Sequence, residues 1–311
     1  MGLESVPGQS SLFWFEIALE VAQSPETENE RRLPSAATQV EAPAPGRPLR
    51  ILVAEDYEPN QRLAMYLLES LGYRADFAAN GRAAIEAWER SAHDVIIMDC
   101  QMPEMDGFEA TREIRRREAA RSADGRERTY IVALTAHAVK GHRECCLAAG
   151  MDGYLTKPYT AQQLGAALKE HCGGPGQAAP ATAGPTPPAA AGLDLQRLAQ
   201  LRADIGDRGV RTIIEAFLAD LLRKIPEISV LVRTGRQSEA SRMAHSIRGI
   251  SLSLGLVRFG SQLQEIEDQT KAGAEAGLAP LLDLLPAAAE QAQADLRQWL
   301  EGRPETSNKT G

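Results

Sequence analysis

Three acidic side chains stand where two apolar segments in the middle of the chain end. Glu55 comes directly after the segment ILVA, and Asp56 is the next residue. Asp99 comes directly after the segment VIIM. If both segments are strands of one parallel sheet, these carboxylates converge at the edge where such sheets bind ligands. Crowded carboxylates repel one another unless a cation compensates their charge. Mg²⁺ fits best, because it binds through a few carboxylates together with water and phosphate oxygens.

Two more polar side chains belong to the same predicted edge. Thr135 follows the segment IVAL, and Lys157 follows the segment YLT. A hydroxyl and an ammonium beside a metal-bound carboxylate can stabilise the charged oxygens of a phosphoryl group while the protein positions the donor. These side chains therefore indicate phosphoryl-group chemistry.

The elements that must position these side chains alternate between strand and helix. Residues 49–172 contain five short apolar segments, each followed by a helical pattern. Asn80 is placed to cap one helix, and Asp106 and Thr160 each have Glu or Gln three residues later, which is capping-box spacing. Five βα units imply an α/β domain with a parallel sheet and helices on both faces. In the strand order 2-1-3-4-5, the first and third strands are neighbours, which brings the carboxylates together.

The same stretch resembles the receiver domains of two-component signalling. The resemblance is carried by VAED at 53–56, MDCQMPEMDG at 98–107, LTA at 134–136 and YLTKP at 154–158, which span the region in the family's order. It implies a flavodoxin-like receiver fold in which Asp99 accepts a phosphoryl group from a histidine kinase.

The resemblance also implies a set of metal ligands. Glu55, Asp56 and Asp99 would bind Mg²⁺ together with the main-chain carbonyl of Gln101. Glu55 stands where many receivers have Asp, and it still supplies a carboxylate. The alternatives are a flavodoxin-like domain whose acids only cap helices and a flavin-binding domain. The number of matching positions disfavours the first, and the lack of a Ser/Thr/Gly-rich loop after the first strand disfavours the second.

Roles for three further receiver residues follow from the resemblance alone. Thr135 and Lys157 would contact the phosphoryl oxygens. Tyr154 would be the aromatic side chain that moves with Thr135 when phosphorylation shifts the domain between two conformations.

The C-terminal region, residues 193–302, is predicted to be an all-α four-helix bundle. It shows amphipathic runs with apolar residues at helical spacing and no strand-like alternation. The runs lie near residues 194–204, 208–233, 236–254, 256–271 and 278–300.

His245 lies within one of these runs, in the segment SRMAHSIRGISLSLG. At about 100° per residue, it points away from the apolar stripe of its helix, so we expect its ring to be exposed to solvent. Arg248 and Gly249 lie beside it one turn later. The stripe consists of Met243, Ile247, Ile250 and Leu254.

The segment AHSIRG resembles the motif of His-containing phosphotransfer (HPt) domains, in which a basic residue and a glycine follow the histidine at the same spacing. The resemblance implies that His245 carries a phosphoryl group. Arg248 would steady the phosphate oxygens, and Gly249 would leave the ring accessible. The family usually has Lys at the basic position, and Arg248 keeps the charge in a planar group. The alternative is a surface histidine without a role.

The ends and connections of the chain complete the predicted organisation. Residues 1–22 resemble the last strands of the ATP-binding domain of histidine kinases, which suggests a piece or relative of a hybrid sensor kinase, although an ordinary leader would also fit. Residues 23–48 and 173–192 have the Pro-, Gly- and Ala-rich or polar composition of linkers, and residues 303–311 form a tail. The nucleotide-binding boxes of a kinase are absent from this sequence.

Composition limits the possible partners and compartment. The formal net charge of −8 and pI of about 5.3 argue against nucleic-acid binding. The four cysteines have no metal-ligand spacing, which favours a reduced, cytoplasmic protein. No apolar run approaches the roughly 20 residues of a membrane span.

Together these features predict a phosphorelay protein. A histidine kinase would phosphorylate Asp99, Asp99 would pass the group to His245, and His245 would donate it to a downstream response regulator. Two other hypotheses remain: an adaptor whose receiver only gates docking of the helical region, and an autonomous kinase, which the lack of an ATP site disfavours.

Overall fold

The computed structural model describes most of the chain. The linker predicted at residues 23–48, nearly all of the linker at 173–192, and the tail at 303–311 lie outside the described residues. The described residues are 2–5, 11–14, 49–121, 128–136, 140–172, 192–273 and 275–302.

The first two strands form a small antiparallel pair. β1 (Gly2–Ser5) pairs with β2 (Ser11–Trp14), and Gly2 lies opposite Trp14 in the register. This pair lies in the segment that resembles the end of a kinase ATP-binding domain.

A parallel five-stranded sheet follows, in the order β4-β3-β5-β6-β7. Counted within the sheet, this is the predicted order 2-1-3-4-5. The strands are short, and all except the edge strand β4 are rich in buried aliphatic residues, as expected when helices cover both faces. The strands are β3 (Ile51–Ala54), β4 (Ala75–Ala78), β5 (Val95–Asp99), β6 (Tyr130–Thr135) and β7 (Gly153–Thr156).

Helices connect the strands, and the predicted caps are present. The Asn80 side chain accepts a hydrogen bond from the main-chain N–H of Ala83. A reciprocal capping box opens the third helix at Asp106 and the fifth at Thr160. These bonds satisfy main-chain N–H groups that the helix itself leaves without partners. The helices are α1 (Glu58–Ser70), α2 (Gly81–Arg90), α3 (Gly107–Ala120), α4 (Lys140–Ala149) and α5 (Ala161–Cys172).

The C-terminal region consists of α6 (Leu195–Arg233), α7 (Gln237–Ser253), α8 (Val257–Ala272) and α9 (Glu275–Glu301). α6 contacts α7 and α9, and α8 contacts the same two helices, so the four helices surround one core. The runs predicted at 194–204 and 208–233 are the two parts of α6. They meet at a kink at Gly206, which has φ 73° and ψ 169°.

The helical region packs directly on the α/β domain. α1 contacts the sheet domain on one side and both α6 and α7 on the other, and the apolar side chains of these parts form one continuous core. At the border, the Lys224 ammonium of α6 lies 5.0 Å from the centroid of the Tyr57 ring, which is a cation–π contact. The two regions therefore share an interface of apolar and charged contacts.

Membrane-spanning helices are not found in the described part of the chain: none of its helices is both long enough and apolar enough to cross a bilayer.

We expect Gly107→Ala to destabilise the protein. A Cβ at residue 107 would lie 2.1 Å from the main-chain oxygen of Asp99, so the backbone would have to shift where α3 starts. Overpacking of this kind lowers the free energy of unfolding by about 1–3 kcal/mol. Thermal unfolding followed by circular dichroism measures the change.

Gly165→Ala is the matched control. A Cβ there would lie 3.4 Å from the Leu71 side chain, which is ordinary contact, and it would remove a glycine from the interior of α5. This variant should be neutral or more stable by up to about 1 kcal/mol. Equal melting temperatures for Gly107→Ala and the unmodified protein would contradict the prediction.

Candidate functional site

The predicted carboxylates meet at the carboxyl edge of the sheet, where Lys157 joins two of them. The Lys157 Nζ atom lies 2.6 Å from Glu55 Oε2 and 2.6 Å from Asp99 Oδ2. All three groups are buried, and Asp99 is only 1% exposed. Buried charges are tolerated when they are paired and hydrogen-bonded. The ammonium therefore compensates the negative charge of both acids.

One ammonium does not neutralise the whole acidic group. Glu55, Asp56 and Asp99 each have a carboxylate oxygen within 4.8 Å of the others. Burial first, and the neighbouring carboxylates second, raise the pKa of Glu55 to about 8 and that of Asp56 to about 6, although Lys157 opposes both shifts. Burial also disfavours ionised Asp99, but the electrostatic interactions with Lys157 first and with His245 second outweigh it and lower the pKa of Asp99. The site thus contains acids that an added cation would ionise.

Main-chain and amide groups hold these acids in place. β3 and β5 are adjacent, so the ends of both strands lie side by side. The main-chain N–H of Gln101 donates to Asp99 Oδ1 at 3.1 Å, and Asn60 Nδ2 donates to Glu55 Oε1 at 2.9 Å. The close approach of Gly107 to the main chain of Asp99 brings the start of α3 beside the same site.

Thr135 and Tyr154 lie on the neighbouring strands. Thr135 is buried at the end of β6 and pairs with Thr156 of β7, whereas Tyr154 pairs with Ala133. Because side chains alternate along a strand, Thr135 and Tyr154 face the same side of the sheet, two positions apart in the register. The main-chain N–H of Lys157 donates to the Thr135 carbonyl at 2.7 Å, so these residues belong to one edge.

The prediction that His245 is exposed was wrong. The residue is 3% exposed, and its Nδ1 atom lies 3.0 Å from Glu267 Oε1. The apolar stripe of α7 faces the helical core as expected. The opposite face is covered as well, because the α/β domain packs against it. The spacing of residues within one helix cannot show that a second domain covers its polar face.

α7 lies directly against the acidic site. Ser246 Oγ donates to Asp56 Oδ1 at 3.3 Å, and Asn60 Nδ2 donates to the Ser246 carbonyl at 3.4 Å. Arg248 Nη2 lies 3.5 Å from the carbonyl oxygen of Ala136, the residue after Thr135. The phosphotransfer helix and the carboxyl edge of the sheet therefore form one joint site.

Gly249 is another residue of α7 that faces this edge. A Cβ at residue 249 would lie 3.5 Å from Asn60 Nδ2 and 3.5 Å from Lys157 Cδ. These are ordinary contact distances, so a methyl group would just fit, whereas a longer side chain would separate the two regions. The glycine therefore permits close docking, rather than leaving the ring open to solvent as predicted.

Glu267 is a site residue that the sequence analysis missed. Besides its contact with His245, it lies 3.5 Å from Arg248 Nη1 and forms an ion pair with Lys271. Burial opposes its ionisation, but His245 first and Lys271 second lower the pKa of Glu267 to about 2. A signal was available, because Glu267 occupies a position of the buried stripe of α8. The other members of this stripe are Leu263, Ile266 and Thr270.

The fold and the site define a receiver domain joined to a phosphotransfer domain, and comparisons with protein families agree. The family model of the response regulator receiver domain matches residues 51–169. The model of the Hpt domain matches residues 212–295. The chain carries both domains of a phosphorelay and is related to hybrid sensor histidine kinases.

Several sensor kinases are similar to this chain. The virulence sensor protein BvgS of Bordetella bronchiseptica is 31% identical over 314 residues, which cover 97% of this chain and 25% of BvgS. The sensor histidine kinase AruS of Pseudomonas aeruginosa is 32% identical over 268 residues, which cover 86% of this chain and 24% of AruS. The chain thus spans about a quarter of the length of these relatives.

Two solved structures are similar to parts of the chain. The receiver domain of the sensor histidine kinase PA1611 from Pseudomonas aeruginosa, with a magnesium ion in its active-site cleft, is 43% identical, with a TM-score of 0.36, and covers 41% of this chain and 99% of that chain. The Saccharomyces cerevisiae phosphotransfer protein Ypd1 with the receiver domain of Ssk1 gives 30% identity and a TM-score of 0.38, covering 40% of this chain and 88% of that chain.

We expect Glu267→Gln to destabilise the protein at neutral pH by about 2 kcal/mol, because it removes charge-assisted bonds from a buried group. Folding lowers the pKa of Glu267 from 4.5 to about 2, so its contribution is complete above about pH 4.5. The contribution is lost as the pH falls from there towards 2. Urea unfolding at several pH values measures the difference between the two proteins.

Glu265→Gln is the control, since Glu265 is exposed on the same helix. It should change stability little at any pH. A Glu267→Gln effect that stays constant from pH 6 to pH 3 would contradict the assigned pKa shift.

Proposed function

We propose that this chain is a phosphorelay intermediate in which Asp99 accepts a phosphoryl group and passes it to His245 of the same chain. The observation that carries the proposal is the docking of α7 on the acidic edge. There Ser246, the residue after His245, donates a hydrogen bond to Asp56 Oδ1 at 3.3 Å, and Arg248 Nη2 lies 3.5 Å from the Ala136 carbonyl. Two groups that exchange a phosphoryl group must approach within bonding reach of one phosphorus atom.

In the first step, a phosphorylated histidine of a kinase is the donor. An ionised Asp99 oxygen attacks the phosphorus atom, and the bond from phosphorus to the donor nitrogen breaks, leaving its electron pair on the donor imidazole. The lowered pKa of Asp99 supports its role as the nucleophile, because the carboxylate is the reactive form. The product is an acyl phosphate on Asp99.

In the second step, His245 is the nucleophile. Its Nδ1 atom is hydrogen-bonded to Glu267, so the tautomer with the proton on Nδ1 keeps the reactive lone pair on Nε2. Nε2 attacks phosphorus, the bond to the Asp99 oxygen breaks, and its electron pair restores the carboxylate. Glu267 stabilises the positive charge that develops on the imidazole ring.

Charged and polar neighbours stabilise the transferred group in this scheme. Lys157 and Thr135 contact the phosphoryl oxygens on the receiver side, and Arg248 steadies them from α7. Lys157 already bridges the acids at this edge. Tyr154 changes position together with Thr135 when Asp99 is phosphorylated, which links the site to the sheet surface.

The residues at this edge fit a magnesium ion. Glu55, Asp56 and Asp99, with the carbonyl of Gln101, would hold it, since the three carboxylates converge, and burial first and the neighbouring carboxylates second raise the pKa of Glu55 and Asp56. When bound, Mg²⁺ supplies positive charge that neutralises the phosphoryl oxygens.

The scheme requires two partners and a reducing compartment. The donor is a histidine kinase, either separate or part of a longer chain, and the acceptor from His245 is the receiver of a downstream response regulator. We place the relay in the cytoplasm of a bacterial cell. The free thiols of Cys100, Cys145 and Cys146 support this, because cysteines stay reduced there.

The domain boundaries belong to the same proposal. The receiver domain occupies 49–172 and the phosphotransfer domain 193–302, joined by the linker at 173–192. Residues 1–22 are the end of a kinase ATP-binding domain. The antiparallel pairing of β1 with β2 and the alignment of 97% of the chain with BvgS support this assignment.

Phosphoryl transfer from a phosphorylated histidine kinase, in the presence of Mg²⁺, tests the relay. The unmodified chain should carry label as phosphoaspartate and as acid-labile phosphohistidine. His245→Gln should keep only phosphoaspartate, and Asp99→Asn should lose both, because Asp99 stands upstream. Phos-tag gels before and after acid treatment separate the species.

Asp76→Asn, which changes an exposed aspartate of the same domain, is the control and should behave like the unmodified chain. If His245→Gln is labelled like the unmodified chain, the docked helical region acts as an adaptor and not as an acceptor. Label from ATP alone would instead indicate an autonomous kinase.

Mg²⁺ affinity should rise with pH between 6 and 8. Glu55, with a pKa of about 8, and Asp56, with a pKa of about 6, bind protons that the metal must displace. We therefore expect binding at pH 6 to be at least about tenfold weaker than at pH 8, with proton release on binding. Isothermal titration calorimetry in buffers of different ionisation enthalpy measures both quantities.

Glu58→Gln is the control for this experiment, because Glu58 is exposed next to the site and pairs with Arg62. It should leave the pH dependence unchanged. Mg²⁺ affinity that is equal at pH 6 and pH 8 would contradict the prediction.

A further inference from the structure

The first part of α6, together with its N-cap residue Asp194, forms a distinct arm, residues 194–205. It precedes residues 212–295, which match the Hpt family model. It is separated from the rest of α6 by Gly206, whose φ of 73° and ψ of 169° are accessible essentially to glycine alone. The arm therefore has a direction of its own, set by this kink.

The arm is anchored to the helical region at its start. Asp194 caps α6 through hydrogen bonds from the main-chain N–H groups of Gln196 and Arg197. Its own N–H donates to the Gly255 carbonyl, between α7 and α8, at 2.7 Å. Leu198 and Leu201 of the arm are buried in the core. The arm is thus held at a fixed position relative to α7.

Two charged side chains of the arm bind the receiver domain. Arg197 Nη2 donates to the Tyr159 carbonyl at 2.7 Å, and the Asp204 carboxylate accepts the main-chain N–H of Ala161 at 3.2 Å. Ala161 is the first residue of α5, so Asp204 satisfies one of the N–H groups that a helix start leaves without a partner. A carboxylate at this end of a helix is also favoured by the helix dipole.

These contacts affect the acidic edge of the sheet, because the loop that they hold also contains Lys157. Residues 157–161 begin with Lys157, whose ammonium bridges Glu55 and Asp99. Both contacts of the arm are made to the main chain of this loop, two and four residues beyond Lys157. They therefore depend on where the loop lies, and not on its side chains.

We propose that residues 194–205 form a docking clamp, in which Arg197 and Asp204 hold the Tyr159–Ala161 main chain and so align the receiver edge with His245. The partner that the clamp fits is the loop between the last strand and the last helix of a receiver, and in this structure it is the receiver of the same chain. Arg197 and Asp204 are positioning residues, and they do not touch the transferred group. The inference rests on the proposed transfer from Asp99 to His245.

Single-turnover transfer in the full chain tests the clamp. Labelled acetyl phosphate with Mg²⁺ loads Asp99, acetate leaves, and the appearance of phosphohistidine is followed over time. Arg197→Ala and Asp204→Ala should each slow this appearance at least about fivefold. The double variant should slow it by less than the product of the two effects, because both residues hold one loop.

Arg202→Ala and Asp207→Ala are the matched controls, since these residues form an exposed ion pair next to the same kink. They should change the rate less than twofold. Phosphoramidate, a small donor that needs no docked receiver, is applied in an Asp99→Asn background so that no label passes through the receiver, and it should label His245 in every variant at least as fast as in the Asp99→Asn chain alone. A parallel loss of this labelling would mean that the variants damage the helical region, and unchanged transfer in the clamp variants would equally overturn the proposal.

Hydrogen exchange at the Ala161 amide tests the clamp contact independently of phosphoryl transfer. An N–H at a helix start exchanges quickly unless it has a partner. The unmodified chain should protect this amide, and Asp204→Ala, which removes the acceptor oxygen, should abolish the protection while Asp207→Ala keeps it. If the unmodified chain transfers nothing to His245, the relay fails, and this exchange result alone decides the clamp. An unprotected Ala161 amide in the unmodified chain overturns it.

Discussion

The ammonium of Lys157 between Glu55 and Asp99 is the interaction on which the architecture of the site depends. Three carboxylates at the end of adjacent strands would repel one another in a buried setting, and the sheet could not close around them without a compensating charge. Lys157 reaches them because β7 lies next to β6 and the following loop turns back over the edge. One positive charge still leaves Glu55 and Asp56 with raised pKa values, so the same arrangement that is stable without a metal retains affinity for one.

The second half of the site comes from another domain. α7 presents Ser246, Arg248 and Gly249 to the receiver edge, and His245 is buried between that edge and Glu267. Burial of a histidine beside a carboxylate orients the ring, which a solvent-exposed imidazole would not achieve. Asp99 is buried as well, so in the proposed relay a donor or acceptor outside the chain would reach Asp99 or His245 only after the two domains separate. In that proposal, docking within the chain and transfer to other proteins compete for one surface.

Much of this molecule follows from local sequence patterns. The alternation of strands and helices, the caps at Asn80, Asp106 and Thr160, and the strand order were all predicted and are confirmed. These features depend on contacts between near neighbours and on the handedness of βαβ connections, which sequence patterns reveal directly. The convergence of Glu55, Asp56 and Asp99 was predictable for the same reason, because parallel strands place their carboxyl ends together.

The sequence by itself determined the two folds, the acidic edge and the candidate phosphoacceptors Asp99 and His245. Only the tertiary structure decided that His245 is buried, that Glu267 holds its ring, and that Arg197 and Asp204 contact the receiver loop. The physical reason is that these contacts join residues of different helices or domains. The periodicity of one helix records which side faces its own core, but it carries no information about what covers the other side.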